Sequence, residues 1–289
     1  MSDRLDVQKT YKTYVGGAFP RSESGRTYKV MDGEGEPLAN ACRCSRKDVR
    51  DAVTAARKAF EGWSGRSAYN RGQILYRIGE MLEGRAGQFA AELQKTGLKK
   101  KSAERRVELA IDRLIYYAGW TDKIAQVFGT VNPVASSHFN FSMPEPTGVV
   151  GIWAPEESPL LGLVSVVAPV IAGGNTCVVL ASESKPLGAV SFAEVLHSSD
   201  VPGGVVNILT GRREELTSHL SSHMNINGLL YTDAGFIEQY GKQIEENAAL
   251  NVKRVAGEAV EDWTDEAQSN PYRVTDFQET KTTWHPVGY

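Results

Sequence analysis

Residues 151–184 read GIWAPEESPLLGLVSVVAPVIAGGNTCVVLASES, and the succession of residue types there decides the fold class. Val149–Trp153 is a short apolar run of the kind that fills a strand buried on both faces. A turn bounded by Pro155 and Pro159 follows, then an apolar helix, then a second apolar strand over Thr176–Leu180. The turn carries two adjacent carboxylates, Glu156 and Glu157. Such a pair can push one pKa up and serve as acid and base. With no nucleophile or metal ligand beside them, the simpler reading is two solvated carboxylates on an open turn.

Downstream, apolar runs at Val205–Leu209, Leu229–Thr232 and Val252–Ala256 alternate with helical stretches. Residues 149–256 therefore predict a parallel sheet covered by helices on both faces. Upstream, residues 12–44 alternate short β-like pieces with turns, and three helical stretches follow. The first, Arg46–Trp63, has Ser45 as its N-cap. The second has Ile74, Leu75, Ile78, Met81, Leu82, Phe89 and Leu93 on one face, and the third has Val107, Ala110, Ile111, Leu114, Ile115 and Ala118. Phe139, Phe141 and Met143 then alternate with polar residues ahead of a Pro-Glu-Pro break, which predicts a long hairpin over 138–153. Residues 257–270, GEAVEDWTDEAQSN, hold five acids and no base and read as a linker. The stretch DFQETKTTWH, residues 276–285, is Thr-rich and polar on both sides, as an exposed strand awaiting a partner would be.

Composition narrows the function. The 289 residues carry a formal net charge of −3, with 41% hydrophobic and 23% charged residues. That balance gives no sign of a nucleic-acid or anionic-membrane surface. Lys99–Lys101 is the one basic run and reads as the solvated start of a helix. No apolar run is long enough to span a bilayer, and the polar N-terminus lacks a signal-peptide core, so the expected location is cytoplasmic. The three cysteines, Cys42, Cys44 and Cys177, do not make a disulfide framework. Cys42 and Cys44 face one side of a strand, and Cys177 sits in an apolar one. His219 and His223 have the i,i+4 spacing of a metal face, but no acid or cysteine follows at ligand spacing, so no metal is expected.

Seven stretches fall in the order of one known family: VGGAF, AARKAFEGWSGRSAYNRGQILYRIGEML, YYAGWTDK, PEPTGVVGIWAP, APVIAGGNTCVVL, VPGGVVNILTG and NVKRV. On these the chain resembles the NAD(P)-dependent aldehyde dehydrogenase superfamily along most of its length. The closing DFQETKTTWHPVGY resembles the C-terminal strand of that family's oligomerisation domain. The resemblance implies a catalytic domain with a nucleophilic cysteine between the KRV strand and that last strand. Here only residues 257–270 fill the interval, and none of the three cysteines lies in it.

The family's motifs align one position at a time with altered residues. The turn that supplies an oxyanion-stabilising amide aligns with Pro155–Pro159, placing Glu157 at the amide donor, and a carboxylate cannot donate there. The ribose-binding Lys-Pro-x-Glu aligns with Leu180–Glu183, of which only Glu183 remains. A carboxylate at a helix start is the alternative account of that residue. The glycine-rich segment aligns at Gly211–Thr217: Gly211 is retained, while Arg213 and Thr217 replace later glycines. The turn facing the pyrophosphate aligns with Tyr231–Ala234, where Asp233 adds negative charge. The general-base motif aligns with Glu258–Glu261, so Glu258 keeps that residue without its glycines.

The expected fold is α/β, a Rossmann-like parallel sheet with flanking helices plus a small β oligomerisation arm. The coenzyme-type domain is expected over 1–137 and 154–256, the arm over 138–153 and 274–289, and a linker replacing the catalytic domain over 257–273. No residue is assigned to catalysis or to metal, and Glu183 and Gly211 are vestigial cofactor contacts. No cofactor is expected, NAD being the candidate if there is one. The favoured function is a catalytically inactive subunit that assembles with a full-length aldehyde dehydrogenase, with a homodimer as the rival assembly. The alternatives are an active NAD-dependent aldehyde dehydrogenase and a nucleotide-sensing regulator.

Overall fold

The computed structural model describes residues 8–288; residues 1–7 of the expected N-terminal unit and Tyr289 of the expected arm lie outside the described residues. Strands β1 (Thr10–Tyr11), β2 (Thr27–Met31) and β3 (Pro37–Cys42) form a small sheet in the order β1-β3-β2. Helices α1 (Arg46–Ser64), α2 (Ala68–Glu83), α3 (Ala86–Lys95), α4 (Lys100–Trp120) and α5 (Ile124–Phe128) follow. Helix α1 starts at a capping box: Asp48 accepts the Ser45 amide at 2.7 Å while the Ser45 hydroxyl accepts the Lys47 amide at 3.3 Å. The apolar face expected to run unbroken from Ile74 to Leu93 is divided between α2 and α3. Gly84 closes α2, its amide donating to Glu80 O at 3.0 Å, and the face resumes one turn later.

Strands β4 (Thr130–Asn132) and β5 (His138–Pro146) precede the main α/β unit. That unit runs β6 (Val149–Trp153), α6 (Leu161–Ala172), β7 (Thr176–Leu180), α7 (Leu187–His197), β8 (Val206–Leu209), α8 (Arg213–Ser221), β9 (Gly228–Tyr231), α9 (Ala234–Leu250) and β10 (Arg254–Gly257). Its strands form one parallel sheet in the order β10-β9-β6-β7-β8, with Ile152 beside Val179 on one side and Leu230 on the other. Every residue of β6 through β9 is buried. Alternation along β6 sends Val150 and Ile152 into the core shared with α2, α4, α6 and α7, and Val149 and Trp153 into the core shared with α1, α8 and α9. Helix α6 is buried along its whole length, and Trp63 of α1 anchors to its carboxyl end, Nε1 donating to Ile171 O at 3.0 Å.

The hairpin expected over 138–153 does not form. β5 pairs with β4 and with the last strand, β11 (Gln278–Pro286), whereas β6 is the central strand of the parallel sheet. The turn at Gly148, with φ of +138°, carries the chain out of the arm and into the core. Its amide is held by the Asn175 side chain at 2.9 Å. β6 is apolar on both faces, so the two-sided interior claims it over a half-exposed hairpin. The arm therefore comprises 130–146 and the strand from Gln278. β11 is not an isolated strand: it pairs antiparallel with β5 along its full length, Gln278 opposite Pro146 and Pro286 opposite His138.

The acidic stretch after β10 is also more than a linker. Its acids face solvent, while Trp263 is buried and Val260 packs on the core. Arg113, itself buried in α4, donates to Ser165 Oγ at 3.0 Å and reaches Trp263 O at 3.5 Å. Tyr117 OH donates to Asn270 O at 3.0 Å, and the Arg273 guanidinium lies 5.6 Å from the centre of the Trp263 ring. Helix α10 (Tyr272–Thr275) then brings Val274 and Phe277 into the core. The segment is a strap across α4 and α6 that delivers β11 to the arm. Trp263→Ala is expected to lower unfolding stability by about 3 kcal/mol, read from urea denaturation; an unchanged midpoint would show that the strap is not fastened there.

Candidate functional site

The loops leaving β6, β7, β8 and β9 converge at the carboxyl ends of the strands, where open α/β sheets bind ligands. Together with the strap they enclose a cleft of about 690 Å³. Its lining is charged and aromatic, with Phe236, Tyr240 and Trp263 among carboxylates and guanidiniums.

Arg213, at the first position of α8, lies across the floor. Its guanidinium is buried and donates to Ala154 O at 2.6 Å, pairs with Glu156 Oε2 at 2.9 Å and with Asp233 Oδ2 at 3.0 Å, and lies 5.0 Å from the centre of the Phe236 ring. The Glu156 carboxylate continues the network, accepting the amides of Glu183 at 2.9 Å and Ser184 at 2.6 Å. Asp233 also accepts the Glu156 amide at 3.0 Å. One set of contacts thus joins the carboxyl ends of β6, β7, β8 and β9.

Glu156 is therefore not a solvated carboxylate, as the sequence suggested. Burial opposes its ionisation, yet Arg213 and the Ser184 and Glu183 groups outweigh that and hold its carboxyl below the usual 4.5. Glu157 does face solvent, beside Lys185. Glu183 reaches the cleft and sits at a helix start, but that of α8, thirty residues away in sequence: it accepts the Arg213 amide at 2.8 Å and Arg212 Nη1 at 2.6 Å. Arg212 in turn lies 4.9 Å from the centre of the Tyr28 ring. Gly211 does not line the cleft. Its lack of a side chain serves packing, since a Cβ there would lie 2.9 Å from Leu216 Cδ1 and 3.2 Å from the Cys44 amide. Thr217 accepts the Trp153 indole N–H at 3.1 Å.

Glu258 is exposed and does not line the cleft. Burial, with Glu258 adding to it against Arg273 and Arg254, pushes the Asp276 carboxyl up to about 6. The three cysteines are buried away from the cleft, and burial pushes the thiols of Cys44 and Cys177 well up, away from the reactive thiolate. His219 and His223 belong to no group of three or more potential metal ligands among the described residues. Sequence reading missed Arg213 and Asp233 as partners of Glu156; the i to i+57 separation leaves no local signal.

The pH dependence of stability reports on this network. Breaking it with Glu156→Gln is expected to cost on the order of 2 kcal/mol at neutral pH, allowing for partial exposure. A folded carboxyl held below its ordinary value contributes fully above that value, and the contribution is lost as pH falls through the depressed folded pKa. The difference between the unmodified chain and the variant should thus be full at pH 7 and shrink below about 4.5. A difference independent of pH would contradict the ion pair.

Comparison with known proteins agrees with this architecture. The family model described as "Aldehyde dehydrogenase family" matches residues 19–259. Aldehyde dehydrogenase, cytosolic 1, of Elephantulus edwardii is 32% identical over 259 residues, covering 87% of this chain and 50% of that protein. Cytosolic 10-formyltetrahydrofolate dehydrogenase of Mus musculus is 32% identical over 260 residues, 88% of this chain and 28% of that one. Among solved structures, HpcC from Thermus thermophilus superposes with a TM-score of 0.82 at 30% identity, covering 86% of this chain and 48% of its own. The NAD+ complex of aldehyde dehydrogenase from Bacillus cereus gives a TM-score of 0.82 at 27% identity, covering 86% and 51%. The chain spans about half the length of these relatives, or less. With the family model matched over most of its residues and the fold shared, the chain belongs to the aldehyde dehydrogenase family.

Proposed function

We propose that this chain is a non-catalytic member of its family, acting in the cytoplasm as a structural or regulatory subunit that assembles with a full-length aldehyde dehydrogenase. The observation that carries the reading is the arm. β11 is an edge strand nine residues long, with its outer row of backbone donors and acceptors unpaired among the described residues. Such an edge pairs readily with the sheet of another chain. The register places Val131 opposite Phe141, so Val131, Phe139, Phe141 and Met143 share one face of the arm. Val131, Phe139 and Met143 are exposed there, and Trp284 is exposed on the other face. This apolar material suits a covered surface.

Catalysis is disfavoured on chemical grounds. The cleft offers no thiol, its carboxylates Glu156, Glu183 and Asp233 are committed to Arg213, Arg212 and backbone amides, and the interval between β10 and β11 is taken up by the strap. The purified chain is expected to form no NADH above a buffer control with NAD and a panel of aldehydes; turnover would make it an oxidoreductase in its own right. Co-expressed with a full-length aldehyde dehydrogenase, it is expected to co-elute on size exclusion, and the complex should be lost when residues 278–289 are removed. Separate elution, or co-elution that survives the deletion, would overturn assembly through the arm. Elution of the chain alone as a dimer unaffected by the partner would favour self-association.

A further inference from the structure

The carboxyl-end cleft has the topology of an anion site and the side chains of an anion-excluding one. Two helices, α8 and α9, point their amino termini into it, and such ends attract phosphate. Both ends already face carboxylates of this chain. Glu183 accepts the first amide of α8, and Asp233 stands at the start of α9 with its carboxylate turned to Arg213 and the Glu156 amide instead of to its own helix. The Glu183 and Ser184 amides, at the end of β7, are taken by Glu156. Among the described residues Arg213 is the one deeply buried cation of the cleft, the group that would meet a phosphate. Both of its terminal nitrogens are engaged by Glu156, Asp233 and Ala154, and only its buried Nε has no acceptor. Among the described residues, seven carboxylates and three guanidiniums line the cleft, a formal excess of four negative charges.

We infer that the cleft is self-liganded: the pairing of Arg213 with Glu156 and Asp233 takes the place that a dinucleotide's pyrophosphate would occupy, and the chain does not bind NAD. The residues present do not fit the cofactor that family membership implies. A pyrophosphate entering here would displace two half-buried carboxylates from Arg213 and leave them unpaired beside its own charge. The exclusion resides in charge, because the fold, the helix ends and the arginine are all in place. Neutralising the two acids therefore frees Arg213 for an anion.

This inference is independent of assembly through the arm, and its test uses the chain alone. NAD and inorganic pyrophosphate are titrated separately into the unmodified chain, followed by thermal unfolding and by the fluorescence of Trp153 and Trp263 near the cleft. Neither ligand is expected to raise the midpoint or to give a saturable fluorescence change with a dissociation constant below about 1 mM. The double variant Glu156→Gln with Asp233→Asn is expected to gain a pyrophosphate-dependent rise in midpoint through mass action, and adding Arg213→Ala should abolish that rise. Saturable binding of NAD or pyrophosphate by the unmodified chain overturns the inference, as does a folded double variant that ignores pyrophosphate. If the double variant does not fold, Asp233→Asn alone makes the same comparison, with the same two outcomes.

Discussion

A guanidinium withdrawn from water must be met by negative charge and hydrogen-bond acceptors on several sides, and the way this chain meets Arg213 organises its candidate site. The acceptors come from separate strand ends: Ala154 and Glu156 after β6, and Asp233 after β9, around an arginine that itself follows β8. Glu156 then reaches the amides after β7. The loops at the carboxyl edge of the sheet are therefore fixed to one another by the protein's own charges. In an open α/β sheet that edge is where a ligand normally sits. Here the same geometry is satisfied internally.

The arm and the strap follow a parallel logic. The sheet needs its outer helices covered, and α4 and α6 carry apolar surface that the strap covers with Trp263, Val274 and Phe277. The strap's last residues also secure the arm: Asn175 donates to Phe277 O at 2.9 Å and Gln278 donates to Gly173 O at 3.0 Å. No side chain would fit at Gly228 under the Phe277 ring. A short acidic segment thus closes the core and positions a polar strand on a sheet whose other face and edge stay open. The proposal of a non-catalytic chain that assembles with another rests on these two features, the carboxylates paired within the cleft and the unpaired edge of the arm.

Much of the fold was legible in the sequence because its signals are local. Ser45 marks the start of α1, and the buried strands β6 to β9 are short apolar runs between helices, which periodicity identifies. Boundaries that depend on a single backbone turn were harder: Gly84 divides what looked like one helix, and Gly148 separates β5 from β6 where alternation suggested a hairpin. Trp263 was hidden among five acids, since composition averages over a segment while burial is decided residue by residue. The site was least legible of all. Glu156 looked like half of a solvated pair with Glu157, Asp233 like added charge on the pyrophosphate turn and Glu183 like a vestigial ribose contact, and the arginines that fix their roles are brought beside them only by the folded sheet.

The most direct measurement is a crystal structure of the chain grown with NAD at millimolar concentration. The account predicts Arg213 seated between Glu156 and Asp233, Glu183 on the amide that opens α8, and no dinucleotide in the cleft. A dinucleotide bound there, with the Arg213 guanidinium turned from the carboxylates onto its pyrophosphate, would contradict it.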